Sequence, residues 1–209
     1  MSERLPDDEL MLPPGAPPDV DAKLVAALER VGQALRVQMW DKARRHGLSP
    51  TQLQVLLRLA SAPPPRRRIG VLAGELDVTH PTVSDAVAVL RRKGLVDRDP
   101  ANRKATLSLS ARGQVIADRL ADWDQRTRQQ LADLPVADKH ATLRLTLDLI
   151  AGLQRSGAIT IARMCVTCRF FRPDAHPSSP RPHHCALVDA PMGSGELRVD
   201  CAEHEPQAA

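Results

Sequence analysis

LRRKGLVDRDPANRKATLSLSARG, residues 90–113, changes its periodicity twice. It opens as the end of a helix, Leu90 to Lys93, which Gly94 stops by supplying the left-handed backbone that closes helices. The run from Leu95 to Leu109 then reads as extended, interrupted by Asp99-Pro100-Ala101-Asn102, so the spacing predicts a hairpin with a charged tip. Ser110 caps a new helix. The rest of the chain is read outward from this hairpin between two helices.

Immediately upstream, Val71 to Leu76 forms a short helix and DVTHP, residues 77–81, a turn with Thr79 or His80 as the cap of the helix that ends at Lys93. Two short helices joined by such a turn make a helix-turn-helix. Before them, Ser49-Pro50-Thr51-Gln52 is a capping box with proline at the first helical position, and Leu48 and Leu53 stand where a hydrophobic staple would join. That helix runs to about Ala60. SAPPPRRRIG, residues 61–70, ends it because Pro63, Pro64 and Pro65 lack amide donors, and the loop closes in a short extended piece at Arg68-Ile69. Further back, Leu24, Leu28, Val31 and Leu35 put one apolar stripe on a long helix that Gly47 ends. Residues 1–19, with PPGAPP, are too rich in proline and charge to pack and read as a disordered arm.

Downstream, the helix capped by Ser110 carries Val115, Ile116, Leu120 and Trp123 on one side, and Pro135 opens a last long helix. There Leu143, Leu145, Leu147 and Leu149 alternate as a strand would, but the segment sits among good helix formers without a turn signal, so it reads as helix. With Ile150 and Leu153 these leucines cover more than one face, which calls for burial on several sides and, near a chain end, for dimerisation.

A length of 209 residues with 43% apolar composition supports a real core. No run of about eighteen apolar residues suggests a membrane span, and MSERLPDDEL lacks the pattern of a secretion signal, so a cytoplasmic, reducing location is expected. The net charge is +4, and the segment from Arg66 to Lys104 alone, with nine basic and five acidic residues, carries all of it. A basic patch of this kind is either a solvated face or a surface that meets phosphates.

The order helix, helix, helix-turn-helix, charged hairpin, two long helices resembles the MarR family of bacterial transcription regulators over about residues 20–156. The most specific likeness lies in the quoted stretch: Lys93-Gly94-Leu95-Val96 with Arg98 matches the end of the recognition helix and the first wing strand. Arg103, Leu109-Ser110 and Gly113 fit the wing pattern DxRxxxxxLTxxG, while Ala101 replaces its aspartate and Asp85 stands where an arginine often enters the major groove. The resemblance implies a mainly α fold, a winged helix-turn-helix within a helical dimerisation scaffold. It also implies a homodimeric regulator, acting as a repressor, on double-stranded DNA with a pseudo-palindromic operator, and a small-molecule effector in some members. The recognition helix would meet the major groove and Arg103 the minor groove. Candidate contacts are Thr79, His80, Thr82 and Ser84, with Arg98, Arg103 and Lys104 on the wing and Arg66, Arg67 and Arg68 on the backbone. Thr79 serves equally well as a helix cap, His80 as a solvated polar residue and the three arginines as a soluble loop.

Residues 157–209 read differently. All four cysteines of the chain fall here: Cys165 and Cys168 as CxxC, then Cys185 and Cys201. A CxxC pair with two distant thiolates closing a loop gives four soft ligands, so the segment is expected to be a loop-rich metal-binding tail holding zinc or an iron–sulfur cluster. Disulfides and unrelated thiols are the other readings, disfavoured in a reducing compartment. From Phe170 to Glu205 prolines and polar residues dominate, so burial alone is not expected to order the tail. His184, beside Cys185, could replace a thiolate. A metal- or redox-sensing role follows if the loaded and empty tails act differently on DNA binding; otherwise the tail is structural. No HExxH or GxSxG is present, and four thiolates would saturate a metal, which speaks against an enzyme.

Overall fold

The computed structural model describes residues 19–98 and 106–207. The arm expected over residues 1–19, apart from Asp19, and the hairpin tip with Arg103 and Lys104 lie outside the described residues, as does the side chain of Arg98. The chain divides into two units at Val37 and Gln38. The first holds the start of helix α1 (Val20–Arg45), where the Asp19 carboxylate accepts from the Ala22 amide at 2.9 Å.

In the second unit α2 (Pro50–Ser61) starts at the capping box read from the sequence, with both reciprocal bonds formed: the Gln52 amide donates to Ser49 Oγ at 3.2 Å and the Ser49 amide to Gln52 Oε1 at 3.3 Å. α3 (Ile69–Glu75) begins two residues earlier than expected, because Arg68 is its extended cap residue. The extended backbone is therefore at Arg68, and the Arg67 carbonyl before it accepts from the Leu107 amide at 2.7 Å. α4 (His80–Arg92) follows, then β1 (Val96–Arg98) and β2 (Leu107–Leu109), antiparallel with Val96 opposite Leu109 and Arg98 opposite Leu107.

Two residues explain how the hairpin is clamped to the next helix, α5 (Ala111–Leu120). Ser110 Oγ accepts from the Gly113 amide at 2.9 Å and donates to the Gly94 carbonyl at 2.7 Å. A Cβ on Gly113 would collide with the Leu95 carbonyl, so the close approach of α5 to the start of the hairpin needs glycine there.

α2 packs on α4 and α5, and the core between them is aliphatic: Leu53, Leu56, Leu59, Leu72, Leu90, Leu107 and Leu120 are all essentially inaccessible. Each contributes about 1.5–3 kcal/mol relative to exposure. The helix expected to carry Trp123 ends instead at Leu120. Ala121 to Asp124 form a turn, and α6 (Gln125–Ala132) starts anew. The turn is held from outside, by Lys42 Nζ donating to Asp122 at 2.6 Å.

α7 (Val136–Arg155) follows Pro135 and is helical through its alternating leucines. Leu147 and Ala151 are buried, whereas Leu145, Leu149 and Leu153 are exposed. The buried face is covered by the chain's own tail. Ala162, Met164, Phe171 and Leu197 pack there with Leu143 and Ile150, forming a second apolar cluster. The tail thus has more burial than its composition promised, because α7 adds Leu143, Leu147, Ile150 and Ala151 to the cluster. It also contains a three-stranded antiparallel sheet, β3 (Phe171–Arg172), β4 (His183–Cys185) and β5 (Ala190–Met192), in that order. Among the described residues no helix is long and apolar enough to cross a membrane.

Candidate nucleic-acid interface and thiol cluster

α4 has one face in the core and the other outside. Val83, Ala86, Val87 and Leu90 are buried; Thr79, His80, Pro81, Thr82 and Asp85 are exposed and Ser84 half-buried. Thr79 is the cap: its Oγ1 accepts from the Thr82 amide at 3.3 Å and lies 2.8 Å from Thr82 Oγ1. The helix is tied to its surroundings at its far end, where Lys93 Nζ donates to the Gly47 carbonyl and reaches Gln52 Oε1 at 3.4 Å. All four recognition-helix candidates therefore share the N-terminal part of one helix whose amide ends face outward, the part of a helix that carries partial positive charge.

The three loop arginines separate. Arg68 is exposed and its Nε donates to the Pro65 carbonyl at 3.0 Å. Arg67 donates to the Ala62 carbonyl at 2.7 Å. Arg66 is turned inward: its side chain is 17% exposed and pairs with Glu75 at 2.9 Å and Asp200 at 3.4 Å. Sequence showed three adjacent positive charges but not the two carboxylates that claim one of them.

In the tail, Cys165 and Cys168 flank a short 3-10 turn in which the Cys168 amide donates to the Cys165 carbonyl at 2.9 Å. The chain end straps over this turn: the Arg169 amide donates to the Glu205 carbonyl at 2.9 Å, the Gln207 amide to the Thr167 carbonyl at 3.1 Å, and His204 Nε2 meets Thr167 Oγ1 at 3.0 Å. Cys185 stands on β4 opposite Phe171. The Cys201 amide donates to the Arg163 carbonyl at 2.8 Å, which brings the last cysteine beside the first.

All four thiols line one cavity of about 250 Å³, whose wall includes the apolar Phe170, Phe171, Leu187, Val188 and Met192 and the charged Arg181, Glu196, Arg198 and Glu203. Burial pushes the Cys165 thiol up; the Arg198 amide, donating to its sulfur at 3.2 Å, opposes that, and the other three cysteines add to it. The Arg198 guanidinium reaches Cys201 Sγ at 3.6 Å, and the Cys201 thiol donates to Glu203 at 3.3 Å. That hydrogen bond holds the Glu203 carboxyl below the usual carboxylate range. Among the described residues no three His, Cys, Asp or Glu side chains converge on a single point as a one-ion site requires. The thiols are set around the cavity instead. His184 is not among the lining residues; it bonds to His176 at 3.3 Å and Asp189 at 3.1 Å. His183 is buried against Phe171, with ring centroids 5.4 Å apart.

A second cavity, of about 140 Å³, lies between α1 and the α5–α6 turn; it is lined by charged and amide side chains such as Asp41, Lys42 and Gln125, with Trp123.

Residues 46–105 match a sequence model described as the MarR family. That segment is similar to the MarR family and has a winged-helix fold. Solved structures similar to this chain include the MarR family transcription regulator SP03579 (19% identity, TM-score 0.58, covering 67% of this chain and 94% of that one). A MarR family protein from Bacillus stearothermophilus is similar at 18% identity and a TM-score of 0.55, covering 65% of this chain and 96% of its own. The S. aureus MepR-DNA complex is similar at 17% identity and a TM-score of 0.54, covering 62% and 97%. At these identities the likeness is one of fold. No curated protein matches. The MarR-type segment ends well before Cys165, so the thiol cluster lies outside it.

Proposed function

We propose that the chain is a cytosolic, homodimeric transcription regulator, a repressor, that reads a pseudo-palindromic operator through α4 and the wing and carries a thiolate-held metal group in its tail. The observation that carries the DNA reading is the division of α4: a buried aliphatic face fixes the helix, and Thr79, His80, Thr82 and Ser84 stand on the side left to solvent. Arg98, Arg103 and Lys104 on the wing and the exposed Arg68 supply phosphate contacts. The fold shared with MepR, which is known in complex with DNA, supports the same reading. Leu145, Leu149 and Leu153 on α7 remain exposed in one chain and suit a second copy.

For the tail, the convergence of four thiols on one mostly apolar cavity supports a metal group held by Cys165, Cys168, Cys185 and Cys201. A single zinc ion draws its sulfurs to about 2.3 Å from one point. A cavity of about 250 Å³ with the thiols around its wall suits an iron–sulfur cluster better, since a cluster's cysteines bind separate irons. The Arg198 amide and guanidinium donate toward two of the sulfurs, as groups that tune such a site do.

A gel-shift titration on a duplex selected from a random pool tests the first part. A dimer contacting six to ten phosphates loses roughly 10³–10⁵ in affinity between about 50 and 200 mM salt, and a flat response contradicts the reading. The visible spectrum and elemental content of anaerobically purified protein test the second. Broad sulfur-to-iron absorption supports the cluster, one zinc per colourless chain supports zinc, and neither metal defeats both.

A further inference from the structure

The residues next to two of the cysteines do something the thiol site itself does not need. Asp200, immediately before Cys201, accepts from Arg58 of α2 at 2.7 Å and from Arg66 of the α2–α3 loop at 3.4 Å. It also accepts from Arg163, two residues before Cys165, at 2.8 and 3.0 Å. Arg163 in turn donates to Glu75 of α3 at 2.8 Å, and so does Arg66 at 2.9 Å. The Glu75 side chain is 1% exposed, and both arginines bind the same oxygen. Its Oε2 is buried without a hydrogen-bond partner among the described residues. Two further contacts fall on the same helix and its turn. The Thr160 amide donates to Asp77 Oδ1 at 3.2 Å, and Ile161 lies so close to Gly74 that a Cβ there would meet its Cδ1 at 3.1 Å.

We infer that this cluster of three arginines and two carboxylates is the link through which occupancy of the thiol site controls the helix-turn-helix, the loaded tail holding α3 in its DNA-binding arrangement. The inference rests on the metal reading given above and adds its means of transmission. The physical basis is the charge balance. With residues 198–201 pinned by Cys201, three guanidiniums share two carboxylates in a partly dry site. When the cysteines are released, Asp200 is no longer fixed, and three positive charges face one buried carboxylate. Arg66 and Arg163, each 17% exposed, are then left to share Glu75 alone, an arrangement less favourable than the shared cluster, so the tail and α3 separate. α3 packs directly on α4, and loosening it loosens the helix that reads DNA. Occupancy and DNA binding are then coupled reciprocally.

The test compares operator affinity, by fluorescence anisotropy on the selected duplex, for loaded protein and for protein stripped with ferricyanide and a chelator. Loaded wild type is expected to bind at least about fivefold tighter, the lower end of usual coupling strengths. Asp200→Asn is expected to keep its metal content yet lose this ratio, both states binding within about twofold. Glu75→Gln weakens the link from the α3 side without changing any tail residue and gives the same outcome. Circular dichroism establishes that each variant is folded, and hydrogen exchange over residues 69–75 rises on stripping in wild type but is raised from the start in both variants. Loaded wild type that binds no tighter than stripped protein overturns the link while leaving the metal reading intact. So does an undiminished ratio in a folded, loaded variant of either kind. Protein that purifies without zinc or iron overturns both.

Discussion

Residues 48–120 bury seven leucines essentially completely, whereas the tail buries Met164 to that degree and borrows Leu147 and Ala151 from α7 to enclose it. The first region is an aliphatic core of the ordinary kind, held by side-chain packing of α2 on α4 and α5 and of α3 on α4. The second is held by pairings between residues far apart: Cys165 with Cys201 and Cys185 around one cavity, and Arg163 with Asp200. One region is stabilised by what it excludes from water, the other by what its polar and thiol groups share. A perturbation aimed at one kind of bonding should therefore damage one region and spare the other.

The largest such effect is expected from Cys168→Ser. Losing a ligand should lower metal affinity by more than about 100-fold, the upper end for losing a supporting hydrogen bond alone. Metal analysis and limited proteolysis read this: the tail becomes cleavable while residues 48–120 stay resistant. Full loading of the variant would remove the distinction between the regions.

Leu90→Ala strikes the other side. It should lower the stability of the winged helix by about 2–5 kcal/mol in urea unfolding, with metal content unchanged. A loss of metal in this variant would mean that the two regions do not separate as their contacts suggest.

Thr79→Ala sharpens the comparison at the interface. The lost cap costs about 1 kcal/mol of stability. If operator affinity falls further than the folded fraction explains, Thr79 contacts DNA as well as capping α4.

The smallest effect concerns the α5–α6 turn. The hydrogen bond from Lys42 holds the Asp122 carboxyl below its usual range. A lowered carboxylate stabilises the fold above that range and ceases to do so as pH falls through it. Asp122→Asn should therefore melt slightly below wild type at neutral pH, with the difference vanishing as pH falls below the ordinary carboxylate range.

Much of the winged helix was legible in the residues themselves. The capping box at Ser49 and Gln52, the cap at Thr79, the stop at Gly94 and the hairpin after it depend on neighbours a few positions away, and local chemistry decides them. The break before α6 was not legible: Asp122 is held by a lysine of α1, so the helical spacing of apolar residues through Trp123 misled. Arg66 was misplaced in the same way. Nothing near it announces that Glu75 and Asp200 will surround its guanidinium. The four cysteines were legible as a set from their spacing, but their arrangement around a cavity, and the exclusion of His184 from its wall, came from the pairing of β3, β4 and β5.

The amino-acid order alone determined where helices start and stop, which face of α4 is apolar, and that the thiols belong together, because these depend on short-range bonding and periodicity. Only the tertiary structure decided that the tail folds back onto α7 and locks to α3 through Arg163, Asp200 and Glu75. An ion pair such as Arg163 with Asp200 or Glu75 joins residues 37 or 88 positions apart, and no local pattern carries that information.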